Sequence, residues 1–172
     1  MLRAGDALAD AFNWCLIQHT DKLAYRFLTK DLEESQRITF GELGQRARLL
    51  AVHLQQQKLT HERVLVIAEP GIAFIVALLA CFFAGAVAIP VPFPHSRRAK
   101  ARFLAICHDA APKAMLVDRF TQEEREQLIT MLGTDSAAPA IDIDQPGAEA
   151  FPDQPLCDIQ PTDLAFIQYT SG

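Results

Sequence analysis

The residues best placed to do chemistry in this sequence are Thr170, Ser171 and Gly172, which directly follow the apolar segment LAFIQY. Hydroxyl groups and unhindered backbone amides donate hydrogen bonds to phosphate oxygens, and glycine permits close approach of the backbone. We therefore predict that Leu164–Tyr169 is a buried strand and that the tripeptide after it begins a phosphate-binding turn. Thr-Ser-Gly alone is nonspecific, and an ordinary turn is the competing interpretation.

A second set, Cys107, His108 and Asp109, has the residue types of a nucleophile, a base and an acid. Neighbours on a helix point about 100° apart, so these side chains cannot form a relay, and we interpret them as structural. The other histidines and the four cysteines lack metal-ligand spacing, and we predict no metal site. Neither a G-x-G-x-x-G fingerprint nor a Walker loop occurs in the sequence.

The segment SRRAKAR places four cations, Arg97, Arg98, Lys100 and Arg102, at the start of a predicted helix. The helix dipole favours anions at that end, so the cluster is unusual there. One interpretation is a solvated basic face. The other is a docking surface for an acidic partner or for a phosphate group such as that of phosphopantetheine. The sequence leaves both open.

The composition, 50% hydrophobic and 22% charged residues, is typical of one folded domain. The net charge of −5 argues against a general nucleic-acid binder, whose affinity comes from neutralising phosphates. Four cysteines without a C-x-x-C pair favour reduced thiols and a cytoplasmic location. Asp6 and Asp10 interrupt the N-terminal segment, where a signal peptide needs an apolar run.

An uncharged stretch from Ile72 to Ile89 has 18 residues, the lower limit for a membrane span. Gly85 predicts a helix end, and VAIPVP after it is typical of a short strand. The helix that remains has about 13 residues and a length of roughly 20 Å, which is too short for a hydrocarbon core of about 30 Å. We predict no transmembrane span. We interpret the apolar stripe of this helix as core packing rather than as a fatty-chain tunnel; its residues are Phe74, Leu78, Phe82 and Phe83.

Helical and extended patterns alternate along the rest of the chain. Capping boxes at Thr39/Glu42 and Thr121/Glu124 mark two helix starts. The predicted elements are a helix around Leu8–Leu16, a strand at Leu23–Leu28 followed by a turn-rich charged segment, a helix to Leu54, a strand at Arg63–Ala68, the Ile72 helix, a strand at Val87–Val91, a helix at Arg97–Ala110, a strand at Ala114–Val117, a helix to about Leu132, and a short strand near Ala140.

Repeated β-α-β units with apolar strands predict the α/β class, with a mostly parallel sheet covered by helices. The segment Gly133–Asp163 contains five of the ten prolines and seven acidic residues, without Lys or Arg. We expect it to run over the surface before the chain returns to the core at Leu164.

The segment DLAFIQYTSG resembles the start of the signature loop of adenylate-forming enzymes, which continues as Ser-Thr-Gly or Ser-Thr-Ser and then x-Pro-Lys-Gly. Three further segments resemble this superfamily in the same order: ITFGELGQRARLLAVHLQ, RVLVIAEPGIAFIVALLACFFAGAVAIPVPFP and FLAICHDAAPKAMLVD. The Pro70-Gly71 pair, the IPVPFP segment and the Arg-rich helix after it are more similar to the fatty acyl-AMP ligase branch than to acyl-CoA synthetases.

The resemblance implies that residues 1–172 are the first part of a large N-terminal AMP-binding domain, interrupted at the start of its phosphate-binding loop. It implies an ATP- and magnesium-dependent ligase that activates a fatty acid as acyl-adenylate and releases pyrophosphate. The acyl group would pass to an acyl carrier protein, such as one of a polyketide or nonribosomal peptide synthase. Thr170, Ser171 and Gly172 would begin the nucleotide site.

The catalytic residues would then follow Gly172, so we expect the 172-residue chain alone to be inactive. A fatty acyl-CoA synthetase or another adenylating ligase is the alternative within enzymes. A stand-alone interaction module without a nucleotide site is the alternative from another class. If Leu164–Tyr169 lacks a further neighbour, its open edge would favour self-association of the chain.

Overall fold

The computed structural model describes residues 7–132, 138–144 and 157–170. Helices and strands alternate through these residues. In chain order they are α1 (Leu8–Gln18), β1 (Leu23–Leu28), β2 (Glu34–Thr39), α2 (Phe40–Gln56), β3 (Arg63–Ile67), α3 (Ile72–Ala84), β4 (Val87–Pro90), α4 (Arg97–Ala110), β5 (Ala114–Val117), α5 (Gln122–Leu132) and β6 (Ala140–Asp142).

The central sheet has four parallel strands in the order β4-β3-β5-β6, so the α/β prediction is confirmed. Helix α3 connects β3 to β4, its neighbour on one side in the sheet. Helix α4 then connects β4 to β5, which lies on the other side of β3. Parallel crossovers are almost always right-handed, so connections that run in opposite directions place their helices on opposite faces. The fold is therefore doubly wound.

Two hydrophobic cores, one on each face of the sheet, reflect this winding. Val64 and Val66 of β3 pack in the core that contains α2 and α3 residues. Leu65 and Ile67 point the other way and pack with residues of α4 and α5. Successive side chains of a strand alternate between faces, so a strand covered on both sides needs a continuous apolar run, which RVLVI provides.

The predicted helix boundaries are set by capping groups. The Glu42 amide donates to Thr39 Oγ1 at 3.2 Å, and the Thr39 amide donates to Glu42 Oε2 at 2.9 Å. Thr121 and Glu124 make the same pair of bonds at the start of α5. Gly85, with φ of 68°, ends α3 after 13 residues. Among the described residues, no helix is long and apolar enough to cross a membrane.

The charged segment after β1 differs from the prediction. It forms β2, which pairs antiparallel with β1 in a separate hairpin, whereas the sequence indicated only turns. Ile38 is the single buried residue of this strand, so the alternation that marks a half-buried strand is missing. Cross-strand pairing, including an Arg26–Glu34 ion pair of 2.9 Å, forms the hairpin instead.

The prediction of a full buried strand at Leu164–Tyr169 is also wrong. The segment makes a single parallel bridge, Phe166 to Ala88, in which the Ala88 amide donates to Ala165 and the Ile167 amide donates to Ala88. The next outward-facing residue of β4 is Pro90, which has no N–H to donate to the Ile167 carbonyl. The ladder therefore stops, and Leu164 and Phe166 remain 58% and 48% exposed.

Candidate functional site

Thr170 lies at the carboxyl end of the parallel sheet, in an open groove of about 650 Å³. Val91 and Pro92, which follow β4, form one wall, and Ser96, Arg98 and Arg102 of the α4 N-terminal region form another. Ligands of doubly wound sheets bind at this carboxyl edge, because the strand ends and helix N-termini face them there. Ser171 and Gly172, the other two predicted site residues, lie outside the described residues.

Only two of the four cations of the predicted basic cluster line this groove. Arg98 and Arg102 line it and lie one turn apart, whereas Arg97 is exposed outside its wall. Ser96 Oγ accepts from the Ala99 amide at 3.1 Å and so caps the helix. Within the described part of the chain, Arg98 makes no hydrogen bond or ion pair, so its guanidinium is available to a ligand. The groove thus combines a hydroxyl with an unpaired positive charge.

The residue before Thr170 is held by α4. Arg102 Nη2 donates to the Tyr169 carbonyl at 3.0 Å. The Tyr169 hydroxyl donates to Asp109 Oδ2, and this hydrogen bond raises the pKa of Tyr169. Sequence reasoning missed both contacts, because they join residues 67 and 60 positions apart. No local pattern signals such pairs.

Two residues of the Cys107-His108-Asp109 segment have separate environments. Asp109 accepts from Tyr169, and burial raises the pKa of the Cys107 thiol to about 11. The described ranges contain no group of three or more His, Cys, Asp or Glu side chains that could hold a metal ion. In the apolar stripe of α3, Phe83 is fully buried, and Phe74, Leu78 and Phe82 are partly buried and pack against the same core.

A second, more polar groove of about 450 Å³ lies at the carboxyl ends of β3 and β5. This is the topological switch point, since the helices after these two strands cover opposite faces. Asp144 accepts from Arg46 and, at 3.0 Å, from Arg119. Burial, followed by the charge of Asp144, raises the pKa of Asp118. The sequence analysis did not single out these residues, although Asp118-Arg119 directly follows β5.

A doubly wound parallel sheet with polar groups at its carboxyl edge is the architecture of many nucleotide-binding α/β domains. Comparison with family models narrows this class. The model described as "AMP-binding enzyme" matches residues 12–172. This chain belongs to the AMP-binding enzyme family, as the resemblance in its sequence implies.

Known relatives include enzymes of fatty acid activation. The chain is 34% identical over 153 residues to the medium-chain-fatty-acid–acyl-carrier-protein ligase JamA of Moorena producens, covering 87% of this chain and 26% of JamA. It is 29% identical over 163 residues to a long-chain-fatty-acid–AMP ligase of Mycolicibacterium smegmatis, covering 88% and 25%. The chain therefore spans about a quarter of the length of these relatives.

A solved structure shares the fold. The fatty acyl-adenylate ligase of Legionella pneumophila, in complex with acyl adenylate and pyrophosphate, superposes with a TM-score of 0.79 at 26% identity. The match covers 96% of this chain and 28% of that one. The architecture described above is thus that of the N-terminal part of an adenylate-forming enzyme.

Proposed function

We propose that this chain is the first part of the N-terminal domain of a fatty acyl-AMP ligase. The complete enzyme uses ATP to convert a fatty acid to its acyl-adenylate and releases pyrophosphate. The observation that carries the proposal is the position of Thr170, at the carboxyl edge of the parallel sheet and in one groove with Arg98. Two relatives of the chain bear the names of fatty-acid ligases, which supports the acid as substrate.

The residues of the groove fit the phosphate part of ATP. The Thr170 hydroxyl can donate to a phosphate oxygen, and the Arg98 side chain supplies a positive charge that has no partner among the described residues. Attack of a carboxylate on the α-phosphate spreads negative charge over phosphate oxygens, and fixed donors and cations stabilise that charge. Ser171 and Gly172 would continue the same turn.

Magnesium accompanies ATP in the activity that we propose. The described residues contain no group of three or more His, Cys, Asp or Glu side chains that could hold this ion. The contribution of this chain is to bind and orient the phosphates.

We further propose that the acyl group passes to an acyl carrier protein, and that Arg97, which is exposed outside the groove, contacts the acidic surface of that carrier. The name of JamA supports a carrier protein as acceptor. The four cysteines are all free thiols, which supports a reducing, cytoplasmic compartment.

Exchange of radiolabelled pyrophosphate into ATP tests the function in the complete enzyme. We expect exchange that depends on a fatty acid and none from the 172-residue chain alone. Thr170→Val, which removes one donor but keeps the side-chain shape, should lower the exchange rate about tenfold or more. Exchange that is independent of fatty acids would contradict the assignment.

Acyl transfer tests the acceptor. Arg97→Gln should slow transfer to the carrier protein and leave pyrophosphate exchange unchanged. Faster transfer to coenzyme A than to any carrier protein would move the enzyme to the acyl-CoA synthetase branch.

A further inference from the structure

The last described residues are not held by the sheet. The Ile167 amide makes the final hydrogen bond to β4, at 2.9 Å from the Ala88 carbonyl. Pro90 then offers no donor, and in the described chain no backbone hydrogen bond joins residues 168–170 to a strand. The direction in which Thr170 enters its groove must therefore be fixed by other contacts.

Tyr169 packs against the core that contains residues of α4 and α5, and two hydrogen bonds with helix α4 fix its orientation there. Arg102 Nη2 binds the Tyr169 carbonyl at 3.0 Å, and Asp109 binds the Tyr169 hydroxyl. Residues seven apart lie on the same side of a helix, about 10 Å apart along its axis. Tyr169 therefore lies along α4, held at its backbone by one residue and at the tip of its ring by the other.

We propose that Arg102 and Asp109 are positioning residues for the phosphate-binding turn, and that they act through Tyr169. We name this arrangement the α4 brace. The inference rests on the proposed function, because it gives the brace the task of orienting Thr170 toward the phosphates of ATP. Asp109 does not line the groove, so its effect on ATP must pass through Tyr169.

We expect the α4 brace to affect ATP binding because it fixes the orientation of the phosphate-binding turn before ATP binds. A phosphate-binding turn stabilises charge only when its donors are already aimed at the ligand, and small displacements weaken that stabilisation. Removing the exposed Tyr169–Asp109 hydrogen bond should raise the KM for ATP by about three- to tenfold. The KM for the fatty acid should stay unchanged, because the brace holds only the phosphate side.

The test compares Tyr169→Phe, Asp109→Ala and the double variant in the complete enzyme. Both single variants lose the same hydrogen bond, so the double variant should be no worse than either one. Tyr25→Phe is the matched control, because it makes the same chemical change at the other tyrosine of residues 1–172. His108→Gln controls for a change on α4 beside Asp109. Both controls should keep the wild-type KM for ATP.

Amide hydrogen exchange at Ile167, the one amide of residues 164–170 that donates a hydrogen bond within the described chain, provides a readout that does not require activity. Exchange should be faster in Tyr169→Phe and Asp109→Ala than in either control. Faster exchange with an unchanged KM for ATP would overturn the positioning role, and unchanged exchange would overturn the brace itself. A wild-type enzyme without fatty-acid-dependent pyrophosphate exchange would refute the proposed function, while the amide measurement at Ile167 would still decide whether the brace exists.

Discussion

The four cysteines of this chain differ in how far their thiol groups are buried. Cys81 is fully buried in α3, and burial raises its pKa to about 12. Burial likewise raises the pKa of Cys107 to about 11. Cys15 and Cys157 are partly exposed. Only the thiolate is a good nucleophile, so burial protects a cysteine both by blocking access and by keeping it protonated.

We expect iodoacetamide at pH 8 to modify Cys15 and Cys157 before Cys107, and Cys81 last. Mass spectrometry of tryptic peptides over a time course measures the order. In a denaturant the four rates should become similar, which is the internal control. Modification of Cys81 as fast as that of Cys15 in the folded chain would contradict the packing of α3.

A second residue links stability to pH. His53, in the last turn of α2, has a buried Nδ1 without a hydrogen-bond partner among the described residues, and burial lowers its pKa. The unfolded chain therefore binds this proton more readily. The free energy of unfolding should fall as the pH drops below about 6.5 toward the lowered pKa of His53.

His53→Gln should flatten the pH dependence of urea unfolding between about pH 7 and 5, where histidines titrate. His108→Gln, at an exposed position, is the control and should leave it unchanged. Hydrogen bonds from Thr39 lower the pKa of Glu42, but this stabilisation is lost only below about pH 4.5, in a separate window. The same slope in His53→Gln as in the wild type would refute the assignment.

At the scale of elements, α3 depends on a glycine at its end. Gly85 has φ of 68°, and an added Cβ would lie 3.3 Å from Thr60 Cγ2 and 3.4 Å from Cys157 Sγ. The left-handed conformation disfavours any side chain, and here the neighbours also leave little space. This residue lets the chain turn directly from α3 into β4.

Gly85→Ala should lower the free energy of unfolding by about 1–2 kcal/mol, as measured by urea denaturation. Gly71→Ala is the matched control at the other end of α3. Its φ of 178° is open to any residue, and its added Cβ would meet only ordinary contacts at 3.6 and 3.7 Å. Equal losses in both variants would show that the left-handed turn is not the cause.

The elements that sequence reasoning predicted are those with a local signal. RVLVI shows its burial as an apolar run, the two capping boxes mark helix starts, and Gly85 marks a helix end. β2 has no such signal, because its partner strand rather than a core specifies it. The short ladder at Phe166 depends on Pro90, 76 positions earlier. The two hydrogen bonds of the α4 brace join residues that are 60 and 67 positions apart. Sequence spacing does not encode such pairings.

At the scale of the whole molecule, the sheet ends in an incomplete edge. Beyond β4 the described chain contributes only one bridge, and Leu164 and Phe166 present apolar surface there. Unpaired backbone groups together with exposed apolar side chains favour pairing with another chain. The edge beside the proposed nucleotide site is therefore also the surface best suited to self-association.

We expect the isolated 172-residue chain to associate as its concentration rises, with an apparent mass in sedimentation equilibrium that increases accordingly. Phe166→Lys should weaken this association, because it places a charge on the edge. Leu32→Lys is the control, since Leu32 is 78% exposed but lies in the hairpin turn. A concentration-independent monomer in the wild type would contradict the prediction.

Pro90, which ends the hydrogen-bonded ladder at Ile167, leaves residues 168–170 able to move independently of the sheet. Since main-chain pairing stops at Ile167, residues 168–170 can separate from the domain by releasing two hydrogen bonds to α4 and the packing of Tyr169 against the second core, while every parallel strand stays intact. Such a local opening requires far less free energy than global unfolding. The tip that we propose to contact the phosphates could thus loosen without disturbing the two cores beneath it, which is the motion that nucleotide entry and pyrophosphate release would need.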